Sequence, residues 1–182
     1  FFFFDGLIFV FGDVDRGCYL RWVDVANRDF ESRLRWCVAG KYEDANHKPV
    51  IAIPGGLEKT VKSGEPVTLN ADITEPDSLD IDGIWAKYSA LYEQLGFNKE
   101  SFVEIAPQRY PKYNAYWWQY KEAGTYNGYI DIVAVDSGKS TFVAPKVDKP
   151  ETLHLILEVT DTGIPALTTF DRVIVTIFLT DK

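Results

Sequence analysis

Hydrophobic and polar positions along the chain follow two different periods. In residues 22–38, WVDVANRDFESRLRWCV, Trp22, Ala26, Phe30, Leu34 and Val38 recur every four residues. Arg21, Asp24, Asp29, Glu31, Arg33 and Arg35 occupy the other faces, so this stretch predicts an amphipathic helix, with Gly40 as its stop. In residues 84–97, IWAKYSALYEQLGF, Ile84, Tyr88, Leu91, Tyr92 and Leu95 fall at helical spacing, and Gly96 ends the run. That predicts one short helix inserted among strands, after which VEIAPQRYPKYN reads as extended chain and loop. Elsewhere the period is two. PVIAI, EKTVKSGEPVTLNAD (Val67, Leu69 and Ala71 on one face), AYWWQYKEAG, YIDIVAV, STFVAP, TLHLILEVTD and DRVIVTIFLTD are short β-branched and aromatic runs bounded by Gly, Pro, Asp or Ser. Strands at this spacing without crossover helices predict a mainly β protein, an antiparallel sandwich. Leu155, Leu157, Val159, Val173, Val175 and Ile177 are expected in its core. The first twenty residues, with FFFF and LIFVF around Asp5-Gly6, read as one or two strands, and KYEDANHKP at 41–49 as a linker. Two parts are therefore expected: 1–45, a strand-plus-helix remnant of an upstream domain with its linker, and 46–182, the sandwich.

At 182 residues, 46% hydrophobic and 25% charged, the chain is long enough for one well-buried core. A net charge of −8 with no basic run argues against nucleic acid and anionic membranes, and suits a neutral polymer or a cation. The N-terminal stretch is too short and too interrupted by Asp5, Asp13 and Asp15 to span a bilayer, and it lacks the basic start of a signal peptide. It reads as a hydrophobic strand cut from its sheet. Cys18 and Cys37 bracket the predicted helix at roughly 25 Å, too far for a disulfide, and read as free thiols or small buried hydrophobes.

Catalytic residues are not nominated. His47 lies in the linker and His154 in a strand, and the chain has no HxH, HExxH, CxxC or GxSxG motif. The acidic loop carries Asp72, Glu75, Asp77, Asp80 and Asp82 within eleven residues. Calcium wants six to eight oxygen ligands, so Asp72, Asp77 and Asp80 are candidate ligands, with Asp161 on another turn. The plainer reading is a solvated loop of ordinary turn formers, and no other cofactor is implied.

GEPVTLNA, WWQYKEAGTY, FVAP and LHLILEVTDTGIPALTTFDRVIVTI run in the order of an Ig-like sandwich. They resemble the C-terminal domain of bacterial cellulose-binding-type proteins whose N-terminal half is nucleoside-hydrolase-like. RWVDVANRDFESRLRWCV…ANHKPV resembles the segment leading into that domain. The resemblance covers about residues 21–182, with a longer insertion at 74–113. It implies a non-catalytic, secreted, extracellular or periplasmic accessory domain that binds polysaccharide, and a parent enzyme to which the N-terminal segment belongs.

Adjacent tryptophans on a strand face opposite sides of the sheet, so one of Trp117 and Trp118 points inward. In the similar polycystic-kidney-disease-type and cadherin-like sandwiches a Tyr-x-Trp-x-aromatic strand supplies core rings. Carried over, this puts Tyr116, Trp118 and Tyr120 inward and Trp117 and Gln119 outward. Trp117 is then the stacking ring for a sugar, flanked by Tyr113 and Tyr126, with Gln119 as polar contact. The competing reading buries Trp117 under the 84–97 helix, with Trp85 and Tyr88. The domain then serves to orient or dimerise a parent enzyme.

Overall fold

The computed structural model describes residues 13–77 and 81–179. Helix α1 spans Asp13–Val38. Then come β1 (Val50–Ala52), β2 (Glu58–Lys62), β3 (Pro66–Asn70) and β4 (Asp72–Thr74). The insertion holds α2 (Ile81–Gln94) and α3 (Lys99–Arg109), and β5 (Tyr113–Gln119), β6 (Val133–Ala134), β7 (Lys139–Val143), β8 (Glu151–Asp161) and β9 (Thr168–Phe178) complete the chain. The strands form sheets ordered β2-β9-β8-β5, β3-β7-β6 and β1-β4. The predicted mainly β sandwich is what folds, with one difference in pairing. Strand β2 runs parallel to β9, so the large sheet is mixed.

The core lies between the β2-β9-β8-β5 and β3-β7-β6 sheets. Alternate residues of β8 (Leu153, Leu155, Leu157, Val159) and β9 (Val173, Val175, Ile177) meet Val67, Leu69 and Phe142 of the facing strands. Of the residues expected in the core, Leu155, Leu157, Val159, Val173, Val175 and Ile177 are fully buried, whereas Tyr116, Trp118 and Tyr120 are not.

Three expectations are corrected. Residues 13–20, expected as strand, belong to α1; the strands expected over 1–12 lie outside the described residues. Residues 103–109, read as extended chain and loop, belong to α3, whose start is sealed by Asn98 and Ser101. Asn98 Oδ1 accepts from the Ser101 amide at 2.9 Å, and Ser101 Oγ accepts from the Asn98 amide at 3.0 Å. The insertion thus holds two helices, which build a separate small core from Tyr92, Phe102 and Ala106, with Trp85 packed against it.

The third correction concerns the face of α1. A step of four residues turns a helix about 40° beyond a full circle, so a strict every-four stripe winds around it. Phe30, Leu34 and Val38 end up 62%, 54% and 85% exposed. The docked side instead runs Trp22, Val25, Asp29 and Ser32, at steps of three and four. Ser32 Oγ donates to the Asn46 carbonyl, and Asp29 accepts from Lys48 Nζ at 2.6 Å. Trp36 Nε1 donates to the same Asn46 carbonyl at 2.8 Å. His47 stacks between Trp36 and Tyr42 (ring centroids 5.6 and 3.6 Å), so residues 42–48 bind helix to sandwich. Cys37, near the end of this helix, is exposed and carries a free thiol.

Candidate functional site

The pairing register decides which tryptophan faces out. Trp117 lies opposite Leu157, and Leu157 points into the core. Trp117 is therefore inward and 6% exposed, with its indole N–H donating to the Gly138 carbonyl at 3.2 Å. Trp118 lies opposite Ile156 on the outer face. The carried-over orientation is thus reversed: Tyr116, Trp118 and Tyr120 face out, and Trp117 and Gln119 face in. The sandwich core itself buries Trp117, not the 84–97 helix.

The other expected contacts follow the same reversal. Gln119 Nε2 donates to the Gly128 carbonyl (3.0 Å) and its Oε1 accepts from the Ile130 amide (3.2 Å), bracing the loop after β5. Tyr113 and Tyr126 are half-buried against the core that contains Trp117. These four residues are brought together as packing, not as a surface.

The outer face holds a different constellation. Cross-strand rows place Tyr116 beside Glu158 and Phe170, and Trp118 beside Ile156 and Arg172. Arg21, Trp22 and Val25 of α1 border this face, and Trp22 lies over it. Its ring centroid is 4.8 Å from Phe170, 6.2 Å from Trp118 and 6.4 Å from Tyr120. Between helix and sheet lies an open cleft of about 370 Å³, lined by Arg21, Trp22, Val25, Tyr116, Trp118, Glu158 and Phe170. The Arg21 guanidinium sits 5.0 Å from the Trp118 ring centre and pairs with Glu122 at 3.3 Å. Tyr116 is half-exposed, yet desolvation of its hydroxyl, followed by its hydrogen bond to the Glu158 carboxylate, pushes it up to about 12. Tyr116 therefore stays a neutral donor to Glu158 at physiological pH. The Trp118 indole N–H is buried with no protein acceptor. Trp118 and Phe170 are 52 positions apart in the chain, and only strand register and α1 docking assemble them. The sequence signal available was the second aromatic phase of YWWQY.

Of the candidate metal ligands, Asp72 is exposed on β4, and Asp80 lies outside the described residues. Asp77 is engaged: its carboxylate accepts from the His47 amide at 2.5 Å and lies 3.1 Å from His47 Nδ1. Among the described residues no group of three or more His, Cys, Asp or Glu side chains is arranged to hold a metal ion. Asp161 instead caps a turn, accepting from the Gly163 and Leu167 amides and from Asn46 Nδ2, each at 2.9 Å. Burial pushes the Asp161 and Glu75 carboxyls up, and the negative neighbours Asp161 and Asp77 add to the effect on Glu75.

A raised folded value means that stability from Glu75 is fully present below its ordinary 4.5 and is lost as pH rises through the folded value. Glu75→Gln is thus expected to raise the melting temperature at pH 7 and to leave it unchanged near pH 4. Melting curves at the two values check this.

His154, expected as structural or exposed, is half-buried on the outer face. Desolvation, with Arg172 nearby, holds its imidazole below the usual range, so it is neutral at pH 7.

Residues 107–177 match the family described as "Cellulose-binding protein Sde0182, C-terminal domain". The match covers less than half of the chain. The matched span includes β5, β8 and most of β9, and so most of the cleft floor.

Among solved structures, a nucleoside hydrolase-related hypothetical protein from Saccharophagus degradans, described as associated with carbohydrate metabolism, is similar over 88% of this chain and 32% of its own. The identity is 22% and the TM-score 0.63. The present chain thus spans about a third of that relative, and the likeness establishes a shared fold. The resemblance read from the residues agrees with both matches. A 2,6-sialyltransferase from Photobacterium sp. JT-ISH-224 (13% identity, 68% of this chain and 17% of that one, TM-score 0.34) also aligns. So does titin domain M3 (10%, 72% and 97%, 0.33). Both are too distant to inform function. No curated protein sequence matches the chain. No helix among the described residues is long and apolar enough to cross a membrane.

Proposed function

We propose that this chain is a non-catalytic, Ig-like accessory domain of a secreted bacterial protein that binds polysaccharide, cellulose or another β-glucan, outside the cell. The observation that carries the reading is the outer-face cleft, which sets the rings of Trp22, Trp118 and Phe170 beside a carboxylate and a phenol. Sugar rings stack their C–H faces on aromatic rings and keep their hydroxyls free for hydrogen bonds. Trp118 and Trp22 supply the stacking faces, and Glu158 and Tyr116 the polar edge. Arg21 covers the Trp118 ring, but an exposed ion pair and an exposed cation–π contact are each worth only about 1 kcal/mol or less, so a sugar can displace it. The family described for residues 107–177 supports the ligand class.

The test is depletion of the chain from solution by insoluble β-glucan. Trp118→Ala is expected to weaken binding by about 30-fold, equivalent to about 2 kcal/mol for a central aromatic contact. Near-UV circular dichroism of the variant checks its fold. Binding by the variant equal to that of the unmutated chain rejects this face as the site.

A second reading, an interaction module that orients or dimerises a parent nucleoside-hydrolase-like enzyme, is favoured by one observation. Phe30, Leu34 and Val38 form an apolar strip on the solvent side of α1. Light scattering of this chain, with and without Leu34→Ser, decides whether that strip joins copies of it.

A further inference from the structure

We infer that the outer-face cleft takes a single separated glycan chain, a soluble segment or a free chain end, and not the flat face of crystalline cellulose. The inference rests on reading this cleft as the glycan site and narrows its ligand. A crystalline face presents many sugar rings in one plane, so the protein rings that bind it must lie coplanar and stand clear of the surface. The rings here do neither. Trp22 and Trp118 are tilted by 35°, Trp118 and Tyr120 by 72°, and Trp22 and Phe170 by 81°. The most nearly parallel of these pairs is still far from coplanar, and the ring centroids lie only 4.8–6.2 Å apart. They pack edge and face against one another instead of tiling a plane.

The walls lead to the same ligand. Arg21, Trp22 and Val25 of α1 stand on one side of the cleft, and Tyr116, Trp118, Glu158 and Phe170 of the sheet on the other. A rigid crystal face cannot enter the notch where helix meets sheet, whereas one flexible chain can lie along it. At about 370 Å³ the cleft sits near the lower end of ligand sites, a size suited to a short stretch of sugar rings. The polar edge needs free hydroxyls as well. Glu158 and Tyr116 can bond the rim of a separated sugar, but in a crystal those hydroxyls are engaged by neighbouring chains.

The experiment compares three probes: cellohexaose by titration calorimetry, and acid-swollen and microcrystalline cellulose by depletion. Each is run with the unmutated chain, Trp118→Ala and Tyr116→Ala. Tyr116 is half-exposed, so its variant keeps the test open if Trp118→Ala fails to fold. The expected result is binding of cellohexaose and swollen cellulose, at least tenfold weaker binding of the crystalline form, and at least a tenfold loss in the folded variants. Crystalline cellulose bound as tightly as swollen cellulose, with the same sensitivity to the variants, overturns the inference and leaves the glycan reading standing. Cellohexaose bound equally by the unmutated chain and both variants places the site elsewhere and overturns the inference too. Binding of none of the three overturns the inference together with cellulose as the ligand.

Discussion

Trp117→Ala is expected to lower the unfolding free energy by about 3–5 kcal/mol, the usual cost of deleting a large aromatic side chain from a packed core. The indole is 6% exposed, among Leu155, Leu157 and Phe142 in one core cluster. Its removal leaves a cavity and also strips the Gly138 carbonyl of its 3.2 Å donor. Against a typical total of about 5–15 kcal/mol, this brings the domain close to unfolding at ambient temperature. The neighbouring Tyr116, 52% exposed, provides the control. Tyr116→Ala is expected to cost under about 1 kcal/mol. Urea denaturation of the two variants therefore reads out the phase of β5. A reversed order of costs means that the strand faces the other way.

Trp22→Ala is the second large effect, and it separates helix from sandwich. Trp22 touches Phe170, Trp118 and Tyr120, and so anchors this part of α1 on the large sheet. Losing it removes about 3 kcal/mol of packing from the helix contact, while the β3-β7-β6 and β2-β9-β8-β5 core is untouched. The expected result is fast amide exchange in the first half of α1 with protection retained in β8 and β9. A glycan affinity at least tenfold lower should accompany it, because one wall of the cleft has gone. Exchange that accelerates equally in β8 and β9 would show instead that helix and sandwich unfold as one unit.

The contrast between these two tryptophans also shows how much of the molecule its sequence discloses. Strand β8 was legible because one phase of its alternation is wholly apolar: Leu153, Leu155, Leu157 and Val159 against His154, Ile156, Glu158 and Thr160. Strand β5 has aromatic residues in both phases, so its own pattern is silent. Its orientation is set by a partner forty residues away, through the pairing of Trp117 with Leu157. A family pattern carried onto such a strand has an even chance of landing one residue out, and one residue inverts every side chain. The docked face of α1 was hidden for a related reason. It buries Ser32 and half-buries Asp29, whose partners Asn46 and Lys48 come from the linker, and a hydrophobic pattern does not register polar groups satisfied from elsewhere. Helix α3 is poor in apolar periodicity and carries Pro107, but the Asn98–Ser101 capping pair was readable. The cleft escaped the sequence reading because its residues come from α1, β5, β8 and β9.

The most direct test of the central claim, that Trp118 and not Trp117 faces the glycan, follows the five indole N–H signals by ¹H–¹⁵N correlation spectroscopy as cellohexaose is added. Each signal is assigned by a single Trp→Phe variant. The Trp118 and Trp22 signals are expected to move together with added ligand while the Trp117 signal, tied to the Gly138 carbonyl, stays in place. Movement of the Trp117 signal with Trp118 unmoved would contradict the claim.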